Sequence, residues 1–252
     1  MGAPAHPEPL FGRVEASSVR ELLGDPLSEW RMGERAWPLD RVRLLAPVTP
    51  GKIVCVGKNY KDHVSEMGHD LPKEPVIFLK PPSSVIGPEE PIVLTPLSQR
   101  VDYEGELAAV IGRACSQLSD AADLKPYVLG YTCLNDVTAR DLQKSDGQWT
   151  RGKGFDTFCP IGPVIETDFD PAKATIETFI NGQRRQSAPA TDMIFFVTFL
   201  IPWISRMMTL LPGDIVSTGT PAGIGPLNAG DIVEVIIGGI GTLRNPVVAP
   251  GS

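Results

Sequence analysis

Glu104, Glu106 and Asp136 are the residues of this chain whose types and spacing best suit chemistry. Glu104 and Glu106 stand two apart in Val101-Asp-Tyr-Glu-Gly-Glu-Leu-Ala-Ala-Val-Ile-Gly112, which runs into an apolar segment of strand character. Residues two apart on a strand point to one face. Two adjacent carboxylates repel, so one tends to hold a proton unless a cation separates them. Asp136 follows a second apolar stretch, in Leu134-Asn-Asp-Val-Thr-Ala-Arg140. Any one such acid is ordinarily a surface carboxylate. Three that converge beside apolar strands make an oxygen cage for a hard divalent ion. Carboxylate ligands favour magnesium, manganese or calcium over zinc or copper.

A second group lies in Lys58-Asn-Tyr-Lys-Asp-His-Val-Ser-Glu66. On a helix, His63 and Glu66 are three apart and within reach of each other. A carboxylate beside an imidazole fixes its tautomer and raises its basicity, which makes a general base for water. From spacing alone, an incidental surface His–Glu pair is the commoner outcome. Arg140, Arg151 and Lys153 supply cations nearby in sequence. Three acids around one divalent ion leave a net negative site, so a carboxylate substrate needs such cations. Without that role they are solvated loop charge. Ser217-Thr-Gly-Thr-Pro-Ala-Gly-Ile-Gly225 is a glycine-rich turn whose amides and hydroxyls suit a carboxylate. It lacks the Gly-Lys-Ser/Thr ending of a nucleotide-binding loop.

The elements that must position these residues read as mostly β with a few helices. The 252 residues suit one large domain with a small N-terminal addition. Thr49-Pro50-Gly51 marks a boundary, so the expected division is a subdomain or arm over 1–50 and a catalytic domain over 51–252. Within the arm, Val19 to Leu23 reads as a short helix and Val42 to Leu45 as a strand. Beyond it, Lys52 to Gly57 is a buried strand, and Asn59 is placed to cap a helix through about Met67. Val76 to Leu79, Ile92 to Leu94, Leu107 to Ile111 and Tyr127 to Leu134 continue the β pattern. Leu118 to Ala122 suggests a helical turn, and Lys144 to Phe158 a loop. Asn181-Gly182 is the strongest hairpin signal. Thr191 or Asp192 is placed to cap a following helix. Pro212-Gly-Asp-Ile-Val216 and Ala229-Gly-Asp-Ile-Val233 look like one turn chemistry used twice to feed strands.

Composition removes several function classes. The net charge is −7 and no basic cluster stands out, which disfavours nucleic acid as a partner. Cys55, Cys115, Cys133 and Cys159 form no Cys-x-x-Cys pair and read as buried free thiols of a cytoplasmic protein. With only His6, His63 and His69 available, zinc is a poor match. The start shows no apolar signal-peptide core, and His6 stands where a myristoylation site wants Ser or Thr. The longest apolar stretch, Met193 to Leu211, is broken by Pro202, Ser205, Arg206 and Thr209, so it reads as a buried or amphipathic helix and not a membrane span.

Taken as an ordered set, these pieces resemble the fumarylacetoacetate hydrolase family in its single-domain bacterial form. The resemblance runs from about Lys52 to Asn245. It rests on Asn59-Tyr60…His63…Glu66, Phe78-Leu-Lys-Pro, Asp102-Tyr-Glu-Gly-Glu-Leu, Asn135-Asp-Val-Thr-Ala-Arg-Asp-Leu-Gln143, Arg151-Gly-Lys-Gly-Phe-Asp-Thr-Phe-Cys-Pro-Ile-Gly-Pro163 and Gly213-Asp…Thr218-Gly-Thr-Pro221. It implies a mixed β-sandwich roll around a β-barrel core, usually as a homodimer. It implies magnesium, or alternatively manganese or calcium, on Glu104, Glu106 and Asp136. It casts His63 and Glu66 as a water-activating pair on a lid-like helix, with Lys153 facing the substrate. Arg140, Gln143 and Thr220 are implied to bind it, and Lys80 is a further pocket candidate. The substrate class implied is a 2-oxo or 2-hydroxy-dienoic acid of aromatic catabolism, processed through an enolate. The His63–Glu66 pair tilts this reading to hydrolysis of a C–C bond in an acylpyruvate. The alternatives are isomerisation of a 2-hydroxy-dienedioate, decarboxylation of oxaloacetate, or metal and anion binding without turnover.

Overall fold

The computed structural model describes residues 8–66, 68 and 70–251. His6, His69, the far end of the helix expected to reach Met67 and the start of the chain lie outside the described residues. The chain divides into two compact units, Met1–Leu44 and Leu45–Ser252.

In the first unit, β1 (Gly12–Glu15), β2 (Ser18–Gly24) and β3 (Trp30–Pro38) form an antiparallel meander in that order. The helix expected from Val19 is therefore strand β2. The reason is pairing: Glu21, only 3% exposed, points inward and is held by the Arg35 guanidinium from β3. Val42 to Leu45 is likewise not a strand, because a 3-10 turn over Leu39–Arg41 ends the regular structure before it.

The second unit carries β4 (Ile53–Gly57), β5 (Val76–Lys80), β6 (Val85–Ile86), β7 (Ile92–Val93), β8 (Val101–Tyr103), β9 (Gly105–Ile111), β10 (Val128–Asn135), β11 (Thr138–Ala139), β12 (Cys159–Glu166), β13 (Thr175–Ile180), β14 (Gln183–Pro189), β15 (Ile215–Ser217), β16 (Gly225–Pro226), β17 (Ile232–Ile237) and β18 (Gly241–Val248). Its helices are short: α1 (Lys61–Glu66), α2 (Arg140–Asp146), α3 (Thr150–Lys153) and α4 (Val197–Ser205). A seven-stranded mixed sheet, ordered β5-β4-β15-β9-β10-β12-β6, curls into a half-barrel. A five-stranded sheet, β14-β13-β17-β18-β7, and a three-stranded one, β11-β8-β16, complete the unit. This is the mostly-β roll with few helices that the sequence predicts.

The seven-stranded sheet is buried where it matters for the site. Every residue of β9 is buried, as the unbroken run Leu107-Ala-Ala-Val-Ile111 requires of a strand covered on both faces. Leu107, Ala109 and Ile111 join Ile176, Val235 and Ile237 of the second sheet, and Leu200, Ile201 and Ile204 of α4, in one apolar cluster. Full burial of a side chain such as Leu107 contributes about 2 kcal/mol, so β9 is a firm base. The repeated turn chemistry is visible too. Gly213 and Gly230 both have left-handed φ, +87° and +95°, and each turn feeds a strand, β15 and β17.

Two capping expectations fail, the first because the polar side chain is used over a long distance and the second because the helix starts later than expected. The Asn59 amide accepts from the Phe195 N–H (2.8 Å) and donates to the carbonyls of Phe195 (2.9 Å) and Thr218 (2.7 Å). It latches the start of α1 to two distant loops. Thr191 and Asp192 lie in a 3-10 turn, and α4 begins later, after Phe196, without a side-chain cap. Leu118 to Ala122 forms only a turn, and the expected loop from Lys144 contains α3.

Candidate active site

The three acids meet because β9 and β10 are hydrogen-bonded neighbours. Leu134 pairs with Glu106 and Asn135 with Gly105, so the next residue, Asp136, falls opposite Glu104. The Asp136 N–H donates to the Glu104 carbonyl (2.8 Å), and the Asn135 side chain accepts from the Glu104 N–H (2.9 Å). Glu104 itself occupies the one-residue break between β8 and β9, where the chain passes from one sheet to the next. Carboxylate oxygens of Glu104, Glu106 and Asp136 lie within 4.8 Å of one another, and all three residues are buried.

Buried acids need partners. Lys153 Nζ donates to Glu104 Oε2 (2.9 Å) and Asp136 Oδ2 (2.6 Å). Lys80 Nζ donates to Asp136 Oδ1 (2.6 Å) and the Val137 carbonyl (3.1 Å). Arg140 reaches Glu104 Oε1, Asp102 Oδ2 (2.8 Å) and Gln143 Oε1 (2.7 Å). Ser217 Oγ and the Gly219 N–H (2.8 Å) both donate to Glu106 Oε2. Of the six acid oxygens, only Glu106 Oε1 takes no hydrogen bond among the described residues.

The electrostatics follow from these contacts. Burial raises the Glu104 carboxyl, but Lys153, Arg140 and His63 outweigh it and hold the group below the usual carboxylate range. Glu106 goes the other way: burial and the Asp136 charge push it well above that range, against the Ser217 hydrogen bond. Burial alone would lower Lys153, yet Asp136 and Glu104 keep it charged. Glu106 is thus an acid that lacks a cation. The oxygen-only donor set, the free Oε1 and an ammonium already bridging two of the acids fit a hard divalent ion at this point.

His63 and Glu66 sit on α1, and His63 Nδ1 lies 3.2 Å from Glu66 Oε2. The Gly223 N–H donates to both Glu66 oxygens at 3.2 Å. A carboxylate only accepts, so Nδ1 is the donor and the lone pair stays on Nε2. His63 is buried while the Glu66 side chain is 36% exposed.

The nine residues given metal, catalytic or substrate roles (Glu104, Glu106, Asp136, His63, Glu66, Lys153, Arg140, Gln143 and Thr220) line one cavity of about 610 Å³, whereas Lys80, the further pocket candidate, is buried against Asp136 and is not among the cavity residues. Their detailed contacts differ from simple substrate reach. Thr220 Oγ1 donates to the Gly105 carbonyl (2.9 Å) and accepts from Gln186 Nε2 (2.8 Å), which braces the strand beneath Glu104 and Glu106. The glycine-rich turn holds the protein's own acids, Glu106 through Gly219 and Glu66 through Gly223. Arg151 pairs with Asp146 at the surface and is not among the cavity residues. Sequence reasoning missed Asp102, Ser217, Phe78 and Trp149. Phe78 and Lys80 alternate on β5 and so share a face, a signal present in Phe78-Leu-Lys80. All four cysteines are free and buried.

Comparison with known proteins identifies the family. The family described as fumarylacetoacetate (FAA) hydrolase C-terminal matches residues 52–248, and Rv2993c-like, N-terminal matches 5–47. Protein Rv2993c of Mycobacterium tuberculosis is 53% identical over 244 residues, 96% of this chain and 92% of the relative. Oxaloacetate tautomerase YisK of Bacillus subtilis is 43% identical, with 88% of this chain and 80% of the relative covered. The crystal structure of 2-hydroxyhepta-2,4-diene-1,7-dioate isomerase from Mycobacterium marinum superposes with a TM-score of 0.86 at 51% identity, covering 93% of this chain and 89% of that one. The chain belongs to the fumarylacetoacetate hydrolase family.

Proposed function

We propose that this protein is a divalent-metal-dependent enzyme that moves a proton on a small 2-oxo acid, interconverting keto and enol or shifting a double bond. The observation that carries the reading is His63, oriented by Glu66, on the same cavity as the three-acid cluster. The names of its relatives, a tautomerase and an isomerase, support proton transfer. Glu104, Glu106 and Asp136 would hold the divalent ion, magnesium in this proposal, which would supply Lewis-acid stabilisation of developing negative charge.

The side chains divide the remaining work. His63 Nε2 takes a proton from the carbon beside the carbonyl, Glu66 stabilises the imidazolium that results, and the imidazolium returns the proton to the enolate oxygen, giving the enol, or to a carbon further along the chain, shifting the double bond. Gln143 presents its amide N–H groups to the substrate, because Arg140 already occupies its carbonyl oxygen. Lys153 offsets the negative charge that develops. Four buried carboxylates, those of Asp102, Glu104, Glu106 and Asp136, face three buried cations, Lys80, Arg140 and Lys153. A divalent ion turns this balance positive, which suits an anionic substrate.

A second reading keeps the same residues and hydrolyses an acylpyruvate, with His63 deprotonating water. The His63–Glu66 pair supports it, since a base able to take a proton from carbon is equally able to take one from water. The discriminating experiment follows the loss of enol absorbance from oxaloacetate, and pyruvate release from acylpyruvates, with and without magnesium. Metal-dependent tautomerisation without pyruvate release is the expected result. Absence of both activities while magnesium still binds would leave a binding protein. Four buried free thiols suit a cytoplasmic enzyme, and the family resemblance implies a homodimer, which sedimentation of the purified chain tests.

A further inference from the structure

Glu66 is the last residue of α1, and a helix this short does not fix its own final side chain. The Gly223 N–H does so, reaching both Glu66 oxygens at 3.2 Å. Whatever holds Gly223 therefore bears on His63, whose Nδ1 uses the Glu66 carboxylate. Gly223 lies between Pro221 and β16 with φ +97°. It has no room for a side chain, because a Cβ there would lie 2.2 Å from the Arg185 carbonyl. Its own carbonyl accepts from the Tyr103 hydroxyl at 2.9 Å.

Tyr103 is on β8, one residue before Glu104. Asp102 and Glu104 both bond Arg140, so strand alternation turns Tyr103 to the opposite face. There it is buried and lines a second cavity together with Gly223 and Arg185. It is not among the residues of the cavity that holds the acids. β16 pairs with β8 so that Gly225 stands opposite Tyr103, and a Cβ on Gly225 would lie 3.0 Å from the phenol oxygen. The hydroxyl is thus confined where it meets the Gly223 carbonyl, and since a carbonyl only accepts, the phenol is the donor. One line of contacts runs from Tyr103 Oη to the Gly223 carbonyl, from the Gly223 N–H to Glu66, and from Glu66 to His63 Nδ1.

We infer that Tyr103 is a positioning residue for the proton-transfer pair: it fixes Gly223, through Gly223 the Glu66 carboxylate, and through Glu66 the ring of His63. This rests on the proposed role of His63 and adds what sets its orientation from outside the cavity. Tyr103→Phe removes the hydroxyl and keeps the ring. With oxaloacetate, kcat should fall about three- to tenfold, the scale of one hydrogen bond, while KM and magnesium affinity stay unchanged. In a Glu66→Gln background the same substitution should lower kcat by less than about twofold, because the group it acts through is already impaired. Gly225→Ala, which crowds the phenol oxygen without removing it, should act in the same direction as Tyr103→Phe. A second readout needs no turnover. In protein carrying isotope-labelled histidine, the Nδ1–H resonance of His63, identified by its absence in His63→Ala, should shift or broaden in Tyr103→Phe. An unchanged resonance, or a full multiplicative loss of kcat in the Glu66→Gln background, overturns the inference. A fall in magnesium affinity in Tyr103→Phe also overturns it, by routing the effect through the neighbouring Glu104. A shifted resonance in a protein that turns over no 2-oxo acid leaves the positioning of His63 by Tyr103 standing and removes the proposed activity.

Discussion

The two halves of the site are built from different material. The acid cluster stands on β9 and β10, inside a seven-stranded sheet, with five of its six oxygens already held. The His63–Glu66 pair stands on α1, a helix of six residues, and its carboxylate is 36% exposed. A helix so short has no stability of its own and depends on what it is tied to. Here the ties are the Asn59 latch and the Gly223 N–H. The difference separates two requirements. Crowded negative charge has to be fixed against its own repulsion, whereas a proton carrier has to meet a substrate that enters and leaves.

The sharpest way to break this comparison is one chemical change made in both halves, carboxylate to amide. In the sheet-borne half, Glu106→Gln removes the oxygen best placed for a cation and the charge that attracts it. Divalent affinity should fall by more than about 100-fold, beyond what loss of an outer partner does. Turnover should fall with it, while circular dichroism stays unchanged. Calorimetric titration with magnesium or manganese checks this, and undiminished metal affinity would refute the assignment. His63→Ala comes next. It should lower kcat by about 10²–10⁴-fold, the range for a general base, and leave metal affinity intact. Steady-state kinetics with oxaloacetate read the first effect and the same titration reads the second.

How much of this was legible in the sequence also divides along the comparison. The acids were readable because strand alternation and two apolar runs are local signals. Their convergence needed the β9–β10 register, which no local pattern prints. The motif resemblance supplied it instead. Asn59 was misread because an Asn before a helix is ordinarily a cap, and only tertiary structure shows its side chain reaching Phe195 and Thr218. Val19-Arg-Glu-Leu-Leu23 was misread because five residues are too few to separate a helical period from a strand, and pairing with β3 decided it. The Ser217–Gly225 turn was read as a cradle for a ligand carboxylate through its amides and Thr hydroxyls. The carboxylate it holds belongs to Glu106, bound by the Gly219 N–H and by the Ser217 hydroxyl, a donor that reading did not include.

Lys80 tests whether the fixed half depends on its buried cations. Its ammonium is completely enclosed and bonded to Asp136. Lys80→Met keeps the volume and leaves Asp136 with Lys153 alone. Removing one member of a buried pair costs about 3 kcal/mol, so a clear fall in Tm is expected in metal-free protein. Excess magnesium should restore part of that loss, because a ligand that binds only the folded state stabilises it. Thermal melts with and without the ion give both numbers. A melting temperature unchanged in metal-free Lys80→Met would mean that the acid cluster is not held by charge balance.

The smallest effect expected is the second half of the amide comparison, Glu66→Gln. Glu66 does two things at once, accepting from His63 Nδ1 and from the Gly223 N–H. A glutamine retains one acceptor oxygen and cannot serve both with full charge. It still occupies the same place on α1, so His63 keeps its position and loses only the nearby negative charge that stabilises its protonated form. The expected outcome is a fall in kcat of about tenfold, the scale of one weakened hydrogen bond to a charged group, with KM and metal affinity nearly unchanged. Kinetics and a metal titration on the same preparation measure all three. A loss as large as that in Glu106→Gln would mean that α1 and the sheet act as one unit, and that the division between a sheet-borne cation site and a separately held base is wrong.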